Sequence, residues 1–309
     1  MKKILTTVAA VLIAAALIIL LKNQYGSIFA GSSYGMPALM KQGEVDHLFI
    51  GSSMFRQGLD IDALEEHLDG SVYILSYNGN QPVFMAKELE YLLEHGVQIE
   101  NLYIDFYAYT LTAIPWISDT KMFLDTDLSF KMDAWKTMAA NNEVGFKDFY
   151  EMFVTANNEQ ILMYPINNAL VSSQFRNGGS LLSMAGQSNE HLDTLDLGVR
   201  EGLFDSQLAG YEKIVSLAKA YDIHLLFVET PKYEKLLTDT REGSYRDLLE
   251  EMILWAEEND ANYLLAEEFA FDHSGGEFFQ DLIHLSGNGR KIYCEMLSNE
   301  LKTANFQEK

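Results

Sequence analysis

Two local contexts in this chain carry residues that could do chemistry together: a serine on a sharp turn, and a histidine three residues after an aspartate. Ser53 closes the tripeptide Gly51-Ser52-Ser53, which follows the apolar run His47-Leu-Phe-Ile50. A run of that length and character reads as a short buried strand, and Gly51 breaks it. The serine then stands at a strand end with its hydroxyl directed into the cleft above a sheet. Far downstream, Asp281-Leu-Ile-His284 offers the other two parts of acyl transfer. His284 would take the serine proton as general base, and Asp281 would hold the imidazole in one tautomer and offset its positive charge. Neither context is specific alone. Gly-Ser-Ser recurs at Gly31-Ser32-Ser33, where no strand-like run precedes it and the copy reads as linker. A lone histidine among the seven present is more often a surface or core residue than a base. It is the agreement of the two contexts that points to a serine nucleophile.

Positioning these residues requires a sheet, and strand and helix signals alternate accordingly. Leu48-Phe-Ile50, Val72-Tyr-Ile-Leu75, Leu102-Tyr-Ile-Asp-Phe106, Ile223-His-Leu-Leu-Phe-Val228 and Asn262-Tyr-Leu-Leu265 read as five strands. Asp60 to Leu68 reads as a helix with an acidic start, and Pro82 to His95 as one with proline in its first turn and Gly96 at its end. Ser286 is a good N-cap for a last helix, which places His284 close to a helix N-terminus. Short apolar strands alternating with helices predict an α/β fold, a three-layer doubly wound parallel sheet whose site lies at the strands' carboxyl ends. Ser53 and Asn78-Gly79 both fall at such ends. Between residues 116 and 204 the alternation stops. Met-, Phe- and Trp-rich stretches there (Lys131-Met-Asp-Ala-Trp135, Phe149-Tyr-Glu-Met-Phe-Val154, Ile161-Leu-Met-Tyr164) read as a helical insertion, either a cap over the cleft or ordinary helix packing.

Composition sets further bounds. Ile4 to Leu21 is an uncharged, almost wholly apolar stretch of eighteen residues, preceded by Lys2 and Lys3 and closed by Lys22. As a helix it would be about 27 Å long, close to the thickness of a hydrocarbon core. It is longer than the apolar region of a cleaved signal peptide, and only Ile28-Phe-Ala30 offers a weak cleavage site. The expected division is therefore a signal anchor over 1–22 forming one transmembrane helix, a linker over 23–44, and a catalytic-type domain over 45–309 outside the cytoplasmic membrane. The net charge of -23, from 45 acidic and 22 basic side chains, argues against nucleic-acid binding, which needs clustered Lys and Arg. Cys294 is the sole cysteine, so no disulfide forms within the chain, and it reads as a buried thiol in the last helix.

With those residues in view, the chain resembles the SGNH-hydrolase superfamily, whose fold is flavodoxin-like. Within it, the resemblance is to the membrane-anchored branch of the teichoic acid D-alanyl-transfer protein and the alginate O-acetylation proteins. Gly51-Ser52-Ser53 matches the first block of that family, and Asp281-x-x-His284 the last. Gly79, within Tyr77-Asn-Gly-Asn-Gln-Pro82, matches the second block, whose glycine N–H contributes to the oxyanion hole. The resemblance covers roughly residues 45–110 and 220–300. It implies Ser53, Asp281 and His284 as catalytic residues, and the Ser53 and Gly79 backbone as oxyanion donors, with no cofactor. It also implies a membrane O-acyltransferase as partner and a cell-surface glycopolymer as substrate. The Gly-x-Asn-Asp of the third block is missing, because strand three continues as Ile104-Asp-Phe-Tyr-Ala-Tyr109. Losing one such donor typically costs about 10²–10³ in turnover, and Asn78, Asn80 or Tyr107 is a candidate replacement. Asp105 is placed to face the site or to serve as an ordinary cap or ion-pair residue. Three functions stay open: an envelope acyltransferase or esterase, a non-catalytic anchored scaffold on the same fold, and a metal-dependent hydrolase using Asp272, His273, Asp281 and His284. The last lacks His-x-His or HExxH spacing.

Overall fold

A computed structural model describes residues 6–17, 35–123, 126–150, 175–180, 186–189, 191–195 and 198–303. The five expected strands are β1 (Glu44–Gly51), β2 (Val72–Ser76), β3 (Gln98–Asp105), β4 (His224–Val228) and β5 (Tyr263–Leu264). They form one parallel sheet in the order β2-β1-β3-β4-β5. This is the flavodoxin-like doubly wound order: the chain runs outward from β1 to β2, then back past β1 to β3. The carboxyl ends of β1 and β3 therefore flank the point where the winding reverses.

Side-chain alternation along each strand builds two cores, one on either face. Leu48, Ile50, Tyr73, Leu75, Leu102, Ile104 and Phe227 point to one face. There they meet α4 (Pro82–Glu94), α6 (Asp205–Ala220) and α7 (Tyr245–Glu258), through residues such as Phe84, Leu89, Tyr211, Ile214 and Met252. Phe49, Val72, Ile74, Tyr103, Leu226 and Val228 point to the other. These pack on α2 (Ser53–Gly58), α3 (Ile61–His67) and α8 (Gly287–Thr303), through Phe55, Leu64, Tyr293 and Leu297. At about 1.5–3 kcal/mol for each large apolar side chain buried, this double lining is what fixes the strand register. A one-residue slip would exchange the two faces.

Two features differ from the sequence-based expectation. Residues 36–42, within the stretch read as linker, form α1 (Met36–Gln42), with Met36 and Leu39 fully buried against the sheet core. In the expected helical insertion, α5 (Leu128–Asn141) and a short helix at Phe146–Tyr150 are present, and residues 151–174 lie outside the described residues. A hairpin, Phe175–Arg176 paired with Gly179–Ser180, was not anticipated. It seats against β2, where the Ile74 N–H donates to Asn177 O at 2.9 Å. Of the expected anchor Ile4–Leu21, residues 6–17 are helical, with Val8, Val11, Leu12, Ile13 and Leu17 exposed, and the remainder lies outside the described residues. Among the described residues no helix is long and apolar enough to cross a membrane. Cys294 is buried on α8, and burial pushes its thiol up to about 12.

Candidate active site

The turn after β1 places Ser53 as the first residue of α2. Gly51 allows the turn: a Cβ there would lie 2.6 Å from the Phe55 ring and 2.8 Å from Asp105 Cβ, so only hydrogen fits. Ser52 is the N-cap, its hydroxyl accepting from the Met54 N–H at 3.1 Å. Ser53 follows it, half-buried at the carboxyl end of the sheet. Its own backbone N–H, at the start of a helix, has no acceptor among the described residues.

Asp281 and His284 reach Ser53 from the loop ahead of α8. Asp281 Oδ1 accepts from the backbone N–H groups of Ile283 at 2.9 Å and His284 at 2.7 Å, which bends the loop back on itself. That leaves Oδ2 to meet His284 Nδ1 at 2.8 Å, while His284 Nε2 lies 2.9 Å from Ser53 Oγ. Burial works to raise the Asp281 carboxyl, but the hydrogen bond and charge of His284, with the two backbone N–H groups, hold it below the usual carboxylate range. An ionised carboxylate only accepts, so Nδ1 carries a ring proton, and in the neutral ring Nε2 is the acceptor facing the serine hydroxyl. The loop is held in place by Tyr233 N–H donating to Leu282 O at 3.0 Å and by a Gln280–Gln57 hydrogen bond to α2. Ser286 caps α8, accepting from the Gly289 N–H at 3.3 Å.

The turn after β2 lies beside the nucleophile turn. Gly51 O accepts from the Tyr77 N–H at 3.1 Å and from Asn80 Nδ2 at 3.4 Å. Gly79 adopts a φ of +62° and is exposed next to Ser118, and its backbone N–H has no acceptor among the described residues. The Asn78 backbone N–H is different: it donates to Asp119 Oδ2 at 3.2 Å, which leaves only its exposed side chain to act as a donor. Asn80 is buried, its amide nitrogen held by both oxygens of Glu88 at 3.1 Å, so it does not serve as the missing third-block donor. Burial pushes the Glu88 carboxyl well up, against the Asn80 hydrogen bond. Asp119 also pairs with Arg56 of α2 at 3.3 Å, which ties the Asn78-Gly79 turn to the nucleophile helix.

One charged group behind the site was not anticipated as part of it. Lys232 is fully buried after β4, donating to Thr230 O at 2.5 Å and Thr230 Oγ1 at 2.8 Å, over the rings of Tyr107 and Tyr245. Burial lowers its ammonium, against the charges of Glu229, Asp105 and Asp281. Tyr107 is buried beneath it, and burial pushes its phenol well up. The residues of the metal alternative are not assembled. His273 Nδ1 is taken by Lys232 O at 2.7 Å, and Asp272 caps its own turn through Ser274 and Gly275. Among the described residues no group of three His, Cys, Asp or Glu side chains is placed to hold a metal.

No family model matches the chain, and no curated protein matches it. Among solved structures it is similar to a GDSL-like lipase from Bacteroides thetaiotaomicron, at 10% identity and a TM-score of 0.39, over 85% of this chain and 90% of that one. It is also similar to a protein from Bacteroides fragilis assigned as an acylhydrolase, at 9% identity and a TM-score of 0.37, over 84% and 86%. Likenesses this loose carry no argument about activity, and the functional reading rests on the geometry.

Proposed function

We propose that the chain is an SGNH-type serine esterase or O-acyltransferase, working outside the cytoplasmic membrane on short acyl esters of a cell-envelope polysaccharide or teichoic acid. The observation that carries this reading is the unbroken contact from Asp281 through His284 to Ser53, at 2.8 and 2.9 Å, with Ser53 at the open end of the sheet. On this reading Ser53 Oγ attacks the ester carbonyl as its proton passes to His284 Nε2, and Asp281 stabilises the imidazolium. The Ser53 and Gly79 backbone N–H groups receive the developing oxyanion. His284 then protonates the departing alcohol oxygen. Water or a sugar hydroxyl, deprotonated by His284, takes the acyl group from Ser53.

Transfer rather than free hydrolysis fits two further features. The third-block asparagine is absent, so the oxyanion hole depends on backbone donors. The apolar segment Ile4–Leu21, flanked by lysines, would hold the enzyme beside membrane-borne donors and raise their local concentration. A multi-spanning membrane O-acyltransferase is the partner that would supply the acyl group. A net charge of -23 makes a neutral glycan the easier acceptor than a polyanionic teichoic acid. The test is the ester-linked acyl content of isolated envelope polymer in three strains: parent, gene deletion, and deletion complemented with Ser53→Ala. The deletion should lower the ester content and Ser53→Ala should fail to restore it. Full restoration by Ser53→Ala would leave only the scaffold role.

A further inference from the structure

Asp105 ends β3, across the reversal point from the nucleophile turn, and is fully buried. Its Oδ2 accepts twice from Ser52, from the backbone N–H at 3.1 Å and from the hydroxyl at 2.5 Å. The same hydroxyl accepts from the Met54 N–H. One carboxylate oxygen therefore fixes the residue before Ser53, and through it the first turn of the helix that Ser53 begins. Close approach reinforces the contact, since Gly51 has no room for a Cβ against Asp105. Tyr211 holds the other side of the strand end, its hydroxyl donating to Asp105 O at 2.6 Å. Asp105 Oδ1 is buried with no hydrogen-bond partner among the described residues. An unpaired buried carboxylate oxygen is costly, and a core of this kind would be cheaper with an apolar residue there. Stability alone therefore does not account for an aspartate at this place.

We propose that Asp105 is a positioning residue for the nucleophile. Acting through Ser52, it sets the turn so that the Ser53 hydroxyl meets His284 and the Ser53 N–H faces the acyl oxygen. Asp105 touches neither substrate nor the reacting atoms. Its effect appears in the chemical step and not in substrate binding. The inference rests on Ser53 being the nucleophile, and the experiment separates the two ideas.

The full chain is followed by fluorophosphonate labelling and by hydrolysis of p-nitrophenyl acetate, for wild type, Asp105→Ala, Asp105→Asn, Ser52→Ala and the Ser52→Ala/Asp105→Ala double variant. A displaced nucleophile costs about 10²-fold, so Asp105→Ala and Ser52→Ala should each lower kcat and labelling rate by that order, with KM unchanged. The double variant should be no slower than Asp105→Ala, because Asp105→Ala already removes both Ser52 bonds and Ser52→Ala removes only the one from the hydroxyl. Asp105→Asn should retain most of the activity, since its amide oxygen can accept both Ser52 bonds while its nitrogen occupies the place of the unpaired oxygen. Ser52→Ala tests the link from the other end should Asp105→Ala not fold. Labelling at the wild-type rate in Ser52→Ala or Asp105→Ala overturns the inference, as does a loss confined to KM or an Asp105→Asn variant as slow as Asp105→Ala. A wild type that neither labels nor turns over removes the nucleophile reading itself, and the inference with it.

Discussion

Asp119→Ala deletes the carboxylate that meets Arg56 at 3.3 Å and the Asn78 backbone N–H at 3.2 Å, and the two effects can be measured apart. The Arg56 and Asp119 side chains are only 6% and 5% exposed, so their pairing is not screened by solvent. Removing one partner of a buried pair costs about 3–5 kcal/mol. At about 2–4 °C per kcal/mol for a domain of this size, the thermal midpoint should fall by roughly 6–20 °C. The second effect is on the turn. Gly79 keeps its N–H but loses the bond that fixes the neighbouring Asn78, so turnover should drop about tenfold, less than the 10²–10³ of outright donor loss. Combining Arg56→Met with Asp119→Leu separates the two. Replacing both ions by apolar groups of similar size is commonly neutral or stabilising, and methionine keeps contact with the Phe175 ring that Arg56 now covers at 5.1 Å. The midpoint should therefore recover while the turnover deficit remains, since no acceptor for Asn78 has returned. Calorimetry and kcat on p-nitrophenyl acetate give both readouts. Recovery of turnover together with the midpoint in the double variant would refute a positioning role for Asp119.

Glu88 tests the buried polar layer beneath the same turn. Its carboxyl is pushed well up by burial, so from about pH 4.3 upward the folded chain holds a proton that the unfolded chain has released, and stability falls as pH rises through that window. Glu88→Gln removes this dependence and should gain stability over wild type at pH 7 to 8 but not near pH 4, as read from denaturation midpoints. Asp281 runs the other way: its carboxyl is lowered in the fold, so it contributes stability above the ordinary carboxylate range that is lost as pH falls through its folded value. Asp281→Asn should lower stability at neutral pH, with the difference vanishing in acid. It should also cost about 10⁴ in kcat by favouring the wrong imidazole tautomer, measurable by ester hydrolysis. Gly51→Ala should destabilise by about 1–3 kcal/mol or prevent folding, because its Cβ would overlap Phe55 and Asp105, and a urea titration reads the loss.

What could be read in advance follows the range of the interaction. Each strand is a short apolar run bounded by turn residues, and alternation alone divides its side chains between two cores. Asp281 and His284 are three residues apart, so the spacing itself sets their hydrogen bond. Ser53 was marked by the glycine turn after a strand-like run. The supporting contacts are different in kind. Ser52 and Asp105 are 53 positions apart and meet because β3 lies beside β1; Arg56 and Asp119 are 63 apart and meet where the segment after β3 returns to the turn after β2. An aspartate at a strand end carries no local sign of whether it caps, pairs or positions. Lys232 likewise gave no signal, since a lysine after a strand is ordinarily a solvated residue. The hairpin at Phe175–Ser180 did have one: Asn177-Gly178 is the dipeptide a tight turn prefers, with φ of +47° and +75°. It lacked flanking runs long enough to read as strands. In α1, two buried residues, Met36 and Leu39, decide that a seven-residue segment docks as a helix, too little pattern to separate from a tether.

The claim on which the account depends is that Ser53 is activated by His284, and mass spectrometry of the fluorophosphonate-treated full chain tests it directly. The adduct should sit on the Ser53 peptide in wild type, be absent in Ser53→Ala, and form far more slowly in His284→Ala with the fold intact by circular dichroism. An adduct on another residue, or equal labelling of Ser53 in wild type and His284→Ala, would contradict it.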